Sequence, residues 1–488
     1  MVIATGQSID RSTTVSALDL AERAAQESLD LVPGLRSRVQ LVSVVNVMSK
    51  TGPAPATALA RRLGLAPART EVTTIGGNSP QWLVNRAAAA VSAGDLDVSL
   101  VAGAEAQHSA KAQAAVPTGG SEHPDDLGVP GEELAPDPVV GDDRVGVGNA
   151  ELQVGLVAPV HVYALFESVI AHRAGRSAPE QRDALGKLMA PFTGVAATQR
   201  AAWFKEVRTP SELASVTPDN RLIAEPYPKR MCAILHVNQG AAVIVTSLAA
   251  ARAAGVASRA VFCWSGADAT DVWFPTARPD LGSSAGLRAA AAAATAAADI
   301  GVDDVNAFDV YSCFPCVVEM AVEALGIAPD DARGLTTTGG LPYFGGPGNN
   351  YSLHAVATMV DGLRERGGTG LVSAMGWYAT KHAVGIYGAS PPTNGWRRGE
   401  TEQAQRDIDA SAVPVATEAQ GTAVVVAATA VMGPDGSVTA APVIARLADG
   451  RQMAMAAAPD ELAAVAGRDL VDVRIEVSGT PPRYRLAD

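Results

Sequence analysis

The feature that most constrains this chain is a unit of paired glycines, turn, helix and apolar strand that occurs twice, roughly 270 residues apart. Residues 73–106 and residues 337–377 each contain this unit, with Asn and Pro in the turn. Gly76-Gly77 of the first unit corresponds to Gly345-Gly346 of the second. The repeat predicts two related α/β halves, and chance similarity between two turn–helix–strand units is the alternative.

The second unit predicts one wall of a binding site. The stretch Gly345–Gly348 turns the chain into a helix, and the first N–H groups of a helix favour anionic groups or polarised carbonyls. Tyr351 and His354 lie three residues apart and therefore share a face of this helix. When the two units are superposed, Trp82 and Asn85 take the corresponding places, so the first unit predicts an opposite wall.

Charge and cysteine content exclude some classes of protein. The 488 residues include 38 basic and 51 acidic ones, for a formal net charge of −13, so we expect no nucleic-acid partner. Four cysteines are too few for a disulfide framework and indicate a reducing compartment. Residues 1–14 lack the pattern of a signal peptide, and the apolar run at 289–298 is short for a membrane span. We therefore expect a cytoplasmic protein without a membrane span.

The order of predicted elements divides the chain into three parts. Residues 118–147 are rich in Gly, Pro and acid, which predicts a surface excursion. A Pro/Gly/Arg stretch after Ser390 predicts a linker, and the tail from Val413 alternates short strands with turn signals, a pattern typical of a small β-barrel. The predicted parts are a first half at 1–255 with an excursion at about 107–230, a second half at 256–395, and an OB-like barrel at 410–488.

Three spaced motifs carry a resemblance to a known family. They are NRLIAEPYPKRMCAILHVNQGAA from residue 220, FDVYSCFPCVVEMAVEALGI from residue 308 and GGLPYFGGPGNNYSLHA from residue 339. In this order they resemble the thiolase superfamily, and the nearest branch is that of the sterol-carrier-protein-type thiolases and the actinobacterial thiolase-like, acetyl-CoA acetyltransferase-like proteins. The resemblance implies an α/β thiolase fold of two related βαβ halves with layered helices and sheets.

The resemblance also locates the catalytic positions of the family. Thiolases place an acylating cysteine at the start of the first-half helix, and this position is Gly77 here. The family's Gly-His-Pro motif reads Gly345-Gly346-Pro347, and the second cysteine of many members falls near Ser373. The His-Asp-Cys-Phe motif reads Tyr311-Ser312-Cys313-Phe314. The Cys–His–Cys machinery is therefore absent, which implies weak or no thiolase activity.

The side chains that remain at these positions are the candidates for function, and buried packing residues are the alternative for each. A Tyr hydroxyl can hydrogen-bond a thioester or ketone oxygen, or transfer a proton if its pKa is lowered. Candidate catalytic residues are Tyr311, Tyr351 and His354. Candidate substrate-binding residues are Gly76, Gly77, Asn78, Ser312, Cys313, Gly345, Gly346 and His236.

Two of these candidates have specific alternatives. Cys313 and Cys316 form a C-x-x-C, which in isolation indicates redox chemistry or half of a zinc site. Because the sequence has no second C-x-x-C or clustered His pair, we expect no metal and favour packing for Cys313. His354 can replace the lost histidine only if its side chain turns back toward the glycine turn. His236 falls in the loop that in thiolases lies against the pantetheine of CoA.

The resemblance leaves three functional hypotheses. The first is a divergent member of the acyltransferase family that binds acyl-CoA in lipid metabolism, with coenzyme A thioesters as substrate and no permanently bound cofactor. The second is a retro-aldolase that cleaves β-hydroxyacyl-CoA through tyrosines. The third is a non-enzymatic scaffold that binds a partner protein through its C-terminal domain. The thiolase fold implies a homodimer, and a monomer is the alternative.

Overall fold

The computed structural model describes residues 1–49, 51–65, 67–114 and 134–487. Residues 115–133, which contain much of the predicted surface excursion, lie outside the described residues. Within the described ranges the α-helices are α1 (Ala17–Asp30), α2 (Pro55–Arg62), α3 (Ser79–Ala93), α4 (Gln107–Ala114), α5 (Asn149–Gln153), α6 (Pro159–Arg173), α7 (Ala178–Thr198), α8 (Pro210–Ala214), α9 (Leu248–Ala253), α10 (Ala285–Ala297), α11 (Pro315–Leu325), α12 (Tyr351–Arg366), α13 (Glu402–Ala410) and α14 (Leu462–Val465).

The strands belong to two large sheets, a barrel and a small sheet that joins the barrel to the rest of the chain. In chain order they are β1 (Val2–Ile9), β2 (Leu41–Val44), β3 (Arg69–Thr73), β4 (Val98–Ala106), β5 (Val139–Val140), β6 (Leu222–Ala224), β7 (Tyr227–Pro228), β8 (Asn238–Thr246), β9 (Phe262–Thr270), β10 (Ala307–Asp309), β11 (Thr369–Gly376), β12 (Lys381–Gly388), β13 (Arg397–Arg398), β14 (Gly421–Ala428), β15 (Val431–Met432), β16 (Val438–Ala440), β17 (Pro442–Leu447), β18 (Gln452–Ala457), β19 (Arg474–Ser478) and β20 (Arg483–Leu486).

Each half of the chain builds one sheet. The first sheet has the strand order β1-β8-β4-β2-β3-β5, with parallel pairing among β4, β2 and β3 and antiparallel pairing of β8 with β1 and β4. The second has the order β10-β11-β12-β9-β13, in which β11, β12 and β9 are antiparallel. β4 and β8 are buried along their whole length, as expected for strands that are covered on both faces.

The two predicted helices lie between these sheets. α3 and α12 contact each other and strands of both sheets, and they share a core that includes Leu83, Val101, Val356 and Val372. α1 and α2 cover the outer face of the first sheet, and α10 and α11 cover that of the second. The predicted α/β fold of two related halves is confirmed. Among the described ranges, no helix combines the length and the apolar character that are needed to cross a lipid bilayer.

The glycine turns end where these central helices begin. α3 carries Pro80 in its first turn, where a missing N–H costs nothing, and it ends at Gly94 with a left-handed φ of 83°. α12 follows a single 3₁₀ turn, Gly348–Asn350, rather than starting directly at the glycines. Both helix N-termini therefore lie at the same end of the two-sheet layer.

The tail forms the predicted closed barrel, in the order β14-β17-β18-β20-β19. It is joined to the preceding fold through β15, which pairs with β6 at Val431 and Ala224. The segment after Ser390, which was predicted as a linker, is mostly exposed and contains one short paired strand. β13 pairs with β9, and Arg398 holds the Asp268 carboxylate at 2.9 Å. The predicted domain bounds themselves stay predictions.

Candidate functional site

The two glycine turns meet and are joined by side chains from the second half. The Gly76 amide donates to Oδ1 of Asn349 at 3.0 Å, and the Ser352 hydroxyl donates to the Gly77 carbonyl. The Asn350 amide group donates to the Gly103 carbonyl on β4 at 2.7 Å. The start of α12 is therefore fastened to the start of α3, so the two glycine turns lie side by side.

Tyr311 fills the space beside Gly77. A Cβ atom placed on Gly77 would lie 2.3 Å from the Tyr311 hydroxyl oxygen and 2.6 Å from the Met375 carbonyl oxygen, both far inside van der Waals contact. Position 77 can therefore carry no side chain in this structure. The Tyr311 hydroxyl lies where a side chain from the start of α3 would otherwise project.

The position of the Tyr311 hydroxyl is set by the packing of its aromatic ring and not by a hydrogen bond of the hydroxyl. The Tyr311 amide donates to the Ser373 hydroxyl at 3.0 Å, and the ring stands perpendicular to that of Tyr351 with centroids 5.7 Å apart. Within the described residues its hydroxyl forms no hydrogen bond. Burial raises the pKa of Tyr311 well above its usual range, and the nearby Cys313 thiol adds to this effect. The hydroxyl is thus protonated near neutral pH and available to a ligand oxygen.

Tyr351 differs from Tyr311 because its hydroxyl is already engaged. It lies 2.5 Å from the Thr338 hydroxyl and 3.5 Å from Oδ1 of Asp309. Oδ2 of Asp309, which is fully buried, accepts five hydrogen bonds from the backbone and hydroxyl groups of Thr336–Thr338. Burial raises the pKa of both Tyr351 and Asp309. Tyr351 therefore orients the neighbouring ring and is not free to bind substrate without breaking this network.

His354 is hydrogen-bonded to the first strand of the chain. Its Nδ1 lies 2.7 Å from Oε1 of Gln7 on β1, and its ring packs 5.1 Å from that of Phe344. Nε2 is buried and has no hydrogen-bond partner among the described residues. Burial lowers the pKa of His354 to about 3, so the ring is neutral at physiological pH. The ring contacts Phe344, which directly precedes the glycine turn, and the replacement of the family's histidine by His354 stays a prediction.

One comparison decides the family. Over 100% of this chain and 98% of the other, the structure is similar to a monomeric SCP2-thiolase-like protein type 1 from Mycobacterium smegmatis, with 31% sequence identity and a TM-score of 0.83. The chain belongs to the SCP2-thiolase-like proteins. The resemblance to the thiolase superfamily inferred from the sequence is thereby confirmed.

More distant structures share the fold of this SCP2-thiolase-like chain. One is the Ltp2-ChsH2(DUF35) aldolase, at 18% identity and a TM-score of 0.60 over 80% of this chain and 97% of that one. Another is human mitochondrial 3-ketoacyl-CoA thiolase, at 16% identity and a TM-score of 0.56 over 80% and 98%. At these identities the likeness shows the fold alone. No protein-family model matches the sequence, and no curated protein matches it either.

The remaining candidates of the SCP2-thiolase-like protein surround the second glycine turn. The Gly346 amide donates to the Ile234 carbonyl at 2.8 Å, and a Cβ on Gly346 would lie 3.1 Å from that oxygen. Gly345 has a φ of 116° and touches the side chain of Gln239. His236 is exposed on the loop that follows Ile234, where partial burial and the nearby Lys111 lower its pKa. The turn is thus backed by the segment that was predicted to face pantetheine.

The cysteine motif is buried in this SCP2-thiolase-like protein. Cys313 and Cys316 are free thiols, and burial raises the pKa of Cys313 to about 12 and also raises that of Cys316 well above its usual range. A thiol in that state is a poor nucleophile because the thiolate is the reactive form. Ser312, also fully buried, lies beside Tyr351. These contacts fit the packing role that the sequence favoured for Cys313.

Sequence reasoning missed two groups at the first turn. The Met375 carbonyl closes the space at Gly77, and Lys381, on the next strand, brings its side chain to Gly76. A Cβ on Gly76 would lie 3.0 Å from Nζ of Lys381 and 2.4 Å from Oδ1 of Asn78. A charged residue at the start of an otherwise apolar strand is the one signal that the sequence offered for Lys381.

Proposed function

We propose that this protein binds CoA thioesters between the two glycine turns without thiolase chemistry. The observation that carries the proposal is the position of the Tyr311 hydroxyl beside Gly77. It removes the space for an acylating side chain and leaves a hydroxyl donor close to the start of α3. A hydroxyl donor and a helix N-terminus together suit a thioester carbonyl oxygen, which carries partial negative charge.

Binding and turnover can be measured on the same preparation. We expect isothermal titration to detect acetyl-CoA and acetoacetyl-CoA, and to detect free CoA more weakly because it lacks the acyl carbonyl. Thiolysis of acetoacetyl-CoA should stay at the background rate. Absence of binding would contradict the proposal, and thiolysis at ordinary thiolase rates would contradict its account of the missing nucleophile.

A retro-aldol reaction is the second candidate, and the unbonded hydroxyl of Tyr311 favours it. In this reaction the Cα–Cβ bond of a β-hydroxyacyl-CoA breaks, the β-carbon becomes an aldehyde or ketone, and the electron pair moves to the thioester as an enolate. The proton that the β-hydroxyl releases ends on Cα, and Tyr311 stays protonated and donates a hydrogen bond to the enolate oxygen as the bond breaks. One structure of the same fold is an aldolase, which adds support.

The retro-aldol candidate has a direct test. Incubation with 3-hydroxybutyryl-CoA should release acetaldehyde and acetyl-CoA in equal amounts, and Tyr311→Phe should abolish that release. Tyr343→Phe is the matched control, because Tyr343 is also a buried tyrosine without a hydrogen bond to its hydroxyl in the described ranges. Equal rates in the wild type and in Tyr311→Phe would rule Tyr311 out.

We further propose that the protein acts as a monomer. β5 pairs with the outer edge of β3 at Val72 and Val139. The β3 edge is therefore not free for a second copy to extend the first sheet by strand pairing. The similar mycobacterial protein is described as monomeric. Sedimentation equilibrium over a range of concentrations tests this, and a stable dimer would contradict it.

A further inference from the structure

Lys381 is a buried amine whose hydrogen-bond partners are backbone carbonyls. The residue is 4% exposed, and its Nζ donates to the Ile75 carbonyl at 2.6 Å and to the Asp142 carbonyl at 3.3 Å. Across the described part of the chain, no carboxylate forms an ion pair with it. An ammonium group has three donors, so one remains after these two contacts.

This amine lines a groove of about 520 Å³ that opens between the start of α3 and the helix α13. Asn78, Trp82, Thr270 and Gln405 form part of the wall. Oδ1 of Asn78 is buried and has no partner among the described residues. The groove is large enough for a small organic ligand, and two of its lining residues keep unused hydrogen-bonding capacity among the described residues: the third donor of Lys381 and Oδ1 of Asn78.

The surroundings favour the neutral form of the amine. Burial lowers the pKa of Lys381 to about 8; the Asp142 carboxylate opposes this shift, and the Arg144 guanidinium adds to it. The aspartates of the groove are committed elsewhere, Asp142 to Arg144 at 2.5 Å and Asp268 to Arg398 at 2.9 Å. The positive end of the α3 dipole also disfavours an ammonium group at this place.

We propose that Lys381 is a nucleophilic amine that forms an imine with an aldehyde or ketone entering this groove. Nζ attacks the carbonyl carbon, and the start of α3 stabilises the negative oxygen of the addition product. The two hydrogens of the amine and the carbonyl oxygen then leave as water, which leaves a C=N bond. Hydrolysis reverses the step. This chemistry does not depend on binding of a CoA thioester.

Reductive trapping tests the proposal. The full chain is incubated at pH 7 with acetaldehyde or acetone and sodium cyanoborohydride, which converts an imine to a stable secondary amine. Peptide mass spectrometry then locates the added ethyl or isopropyl group. An amine with a pKa about 2.5 units below that of ordinary lysine has roughly 300-fold more neutral form at this pH. We expect labelling of Lys381 at least about 10-fold faster than that of the exposed Lys187 and Lys229.

Two variants and a smaller reagent serve as controls. Lys381→Arg keeps donors for the Ile75 and Asp142 carbonyls but cannot form an imine, so it should fold and lose the label. Asn78→Ala should fold and slow the labelling if the groove holds the carbonyl ligand. Formaldehyde reports whether the amine can be reached at all. Labelling of Lys381 no faster than that of the exposed lysines, or labelling by formaldehyde alone, overturns the proposal. Loss of thioester binding would not affect this result.

Discussion

The two glycine turns are related by the internal repeat, but their surroundings differ. At Gly77 a new Cβ would meet a hydroxyl at 2.3 Å and a backbone carbonyl at 2.6 Å. At Gly346 the nearest atom would be the Ile234 carbonyl oxygen at 3.1 Å, and φ lies outside the left-handed region. The first turn is therefore closed to side chains, while the second is only tight.

This difference shows that adding a side chain would have different structural consequences at the two turns. At the first turn, Tyr311 has taken over the volume, so a cysteine could not return there without moving a ring and a strand carbonyl. At the second turn, a side chain at Gly346 would require only a small shift of the neighbouring backbone. The space at the first turn is filled by another side chain, and the space at the second turn is not.

The largest expected effect is that of Gly77→Cys. Overpacking typically costs 1–3 kcal/mol, and here one of the colliding atoms is backbone, so we expect a free energy of unfolding lower by about 3 kcal/mol. Denaturant unfolding measures it. Adding Tyr311→Ala should recover only part of the loss, because the Met375 carbonyl stays in place. A Gly77→Cys protein of wild-type stability would show that the turn is not closed.

The corresponding positions on the two central helices predict an effect of pH. His354 on α12 corresponds to Asn85 on α3, whose amide donates to the Val384 carbonyl and does not titrate. The pKa of His354 falls from about 6.5 when unfolded to about 3 when folded. The unfolded chain therefore takes up the proton first, and stability is lost as pH falls from about 6.5 toward 3. At pH 5 this loss should reach about 2 kcal/mol.

The variant His354→Asn isolates the contribution of His354 to the pH dependence of stability. It should shift stability by a constant amount, from the lost ring contacts, and it should remove the part of the pH dependence that belongs to His354. Denaturant unfolding at several pH values between 7 and 4 compares the two proteins. Parallel curves for wild type and variant would contradict the buried, neutral state of His354.

The two tyrosines should respond differently to loss of the hydroxyl. Tyr351→Phe removes the hydrogen bonds of the Tyr351 hydroxyl with Thr338 and with Oδ1 of Asp309 inside a buried network, so we expect stability to fall by about 1–2 kcal/mol. Tyr311→Phe removes a hydroxyl without a hydrogen bond to any described residue and should change stability by less than about 0.5 kcal/mol. Thermal unfolding of both variants measures the contrast. Equal losses would mean that Tyr311 is a packing residue like its neighbour.

The fold could be predicted because it depends on local patterns and on spaced motifs. The repeated glycine turn, helix and strand placed α3 and α12 correctly, and the alternation in the tail predicted its barrel. The absence of a cysteine at position 77 is likewise a fact of the sequence. What could not be predicted is which distant residue fills a space. Tyr311 lies 234 positions beyond Gly77, and no periodicity links them.

The direction of side chains is the second feature that the sequence could not predict. Tyr351 and His354 share a face of α12 by spacing, yet one hydroxyl turns to Asp309 and one ring to Gln7. This separation follows from the position of α12 between two sheets, where neighbouring residues meet different elements. In the segment after Ser390, β13 forms by pairing with the distant strand β9. The Pro- and Gly-rich composition of the segment gives no signal of this strand.

The smallest expected effect is at the second turn, where Gly346→Ala should cost about 1 kcal/mol or less, because only the Ile234 carbonyl must move, by a few tenths of an ångström. Gly345→Ala is its matched control. The φ of 116° at Gly345 is strained for alanine, and the new Cβ would lie 2.4 Å from Oε1 of Gln239, so its cost should be clearly larger. Denaturant unfolding of the pair measures the difference. If Gly346→Ala were as costly as Gly77→Ala, the second turn would be as closed as the first, and the contrast between the two halves would fail.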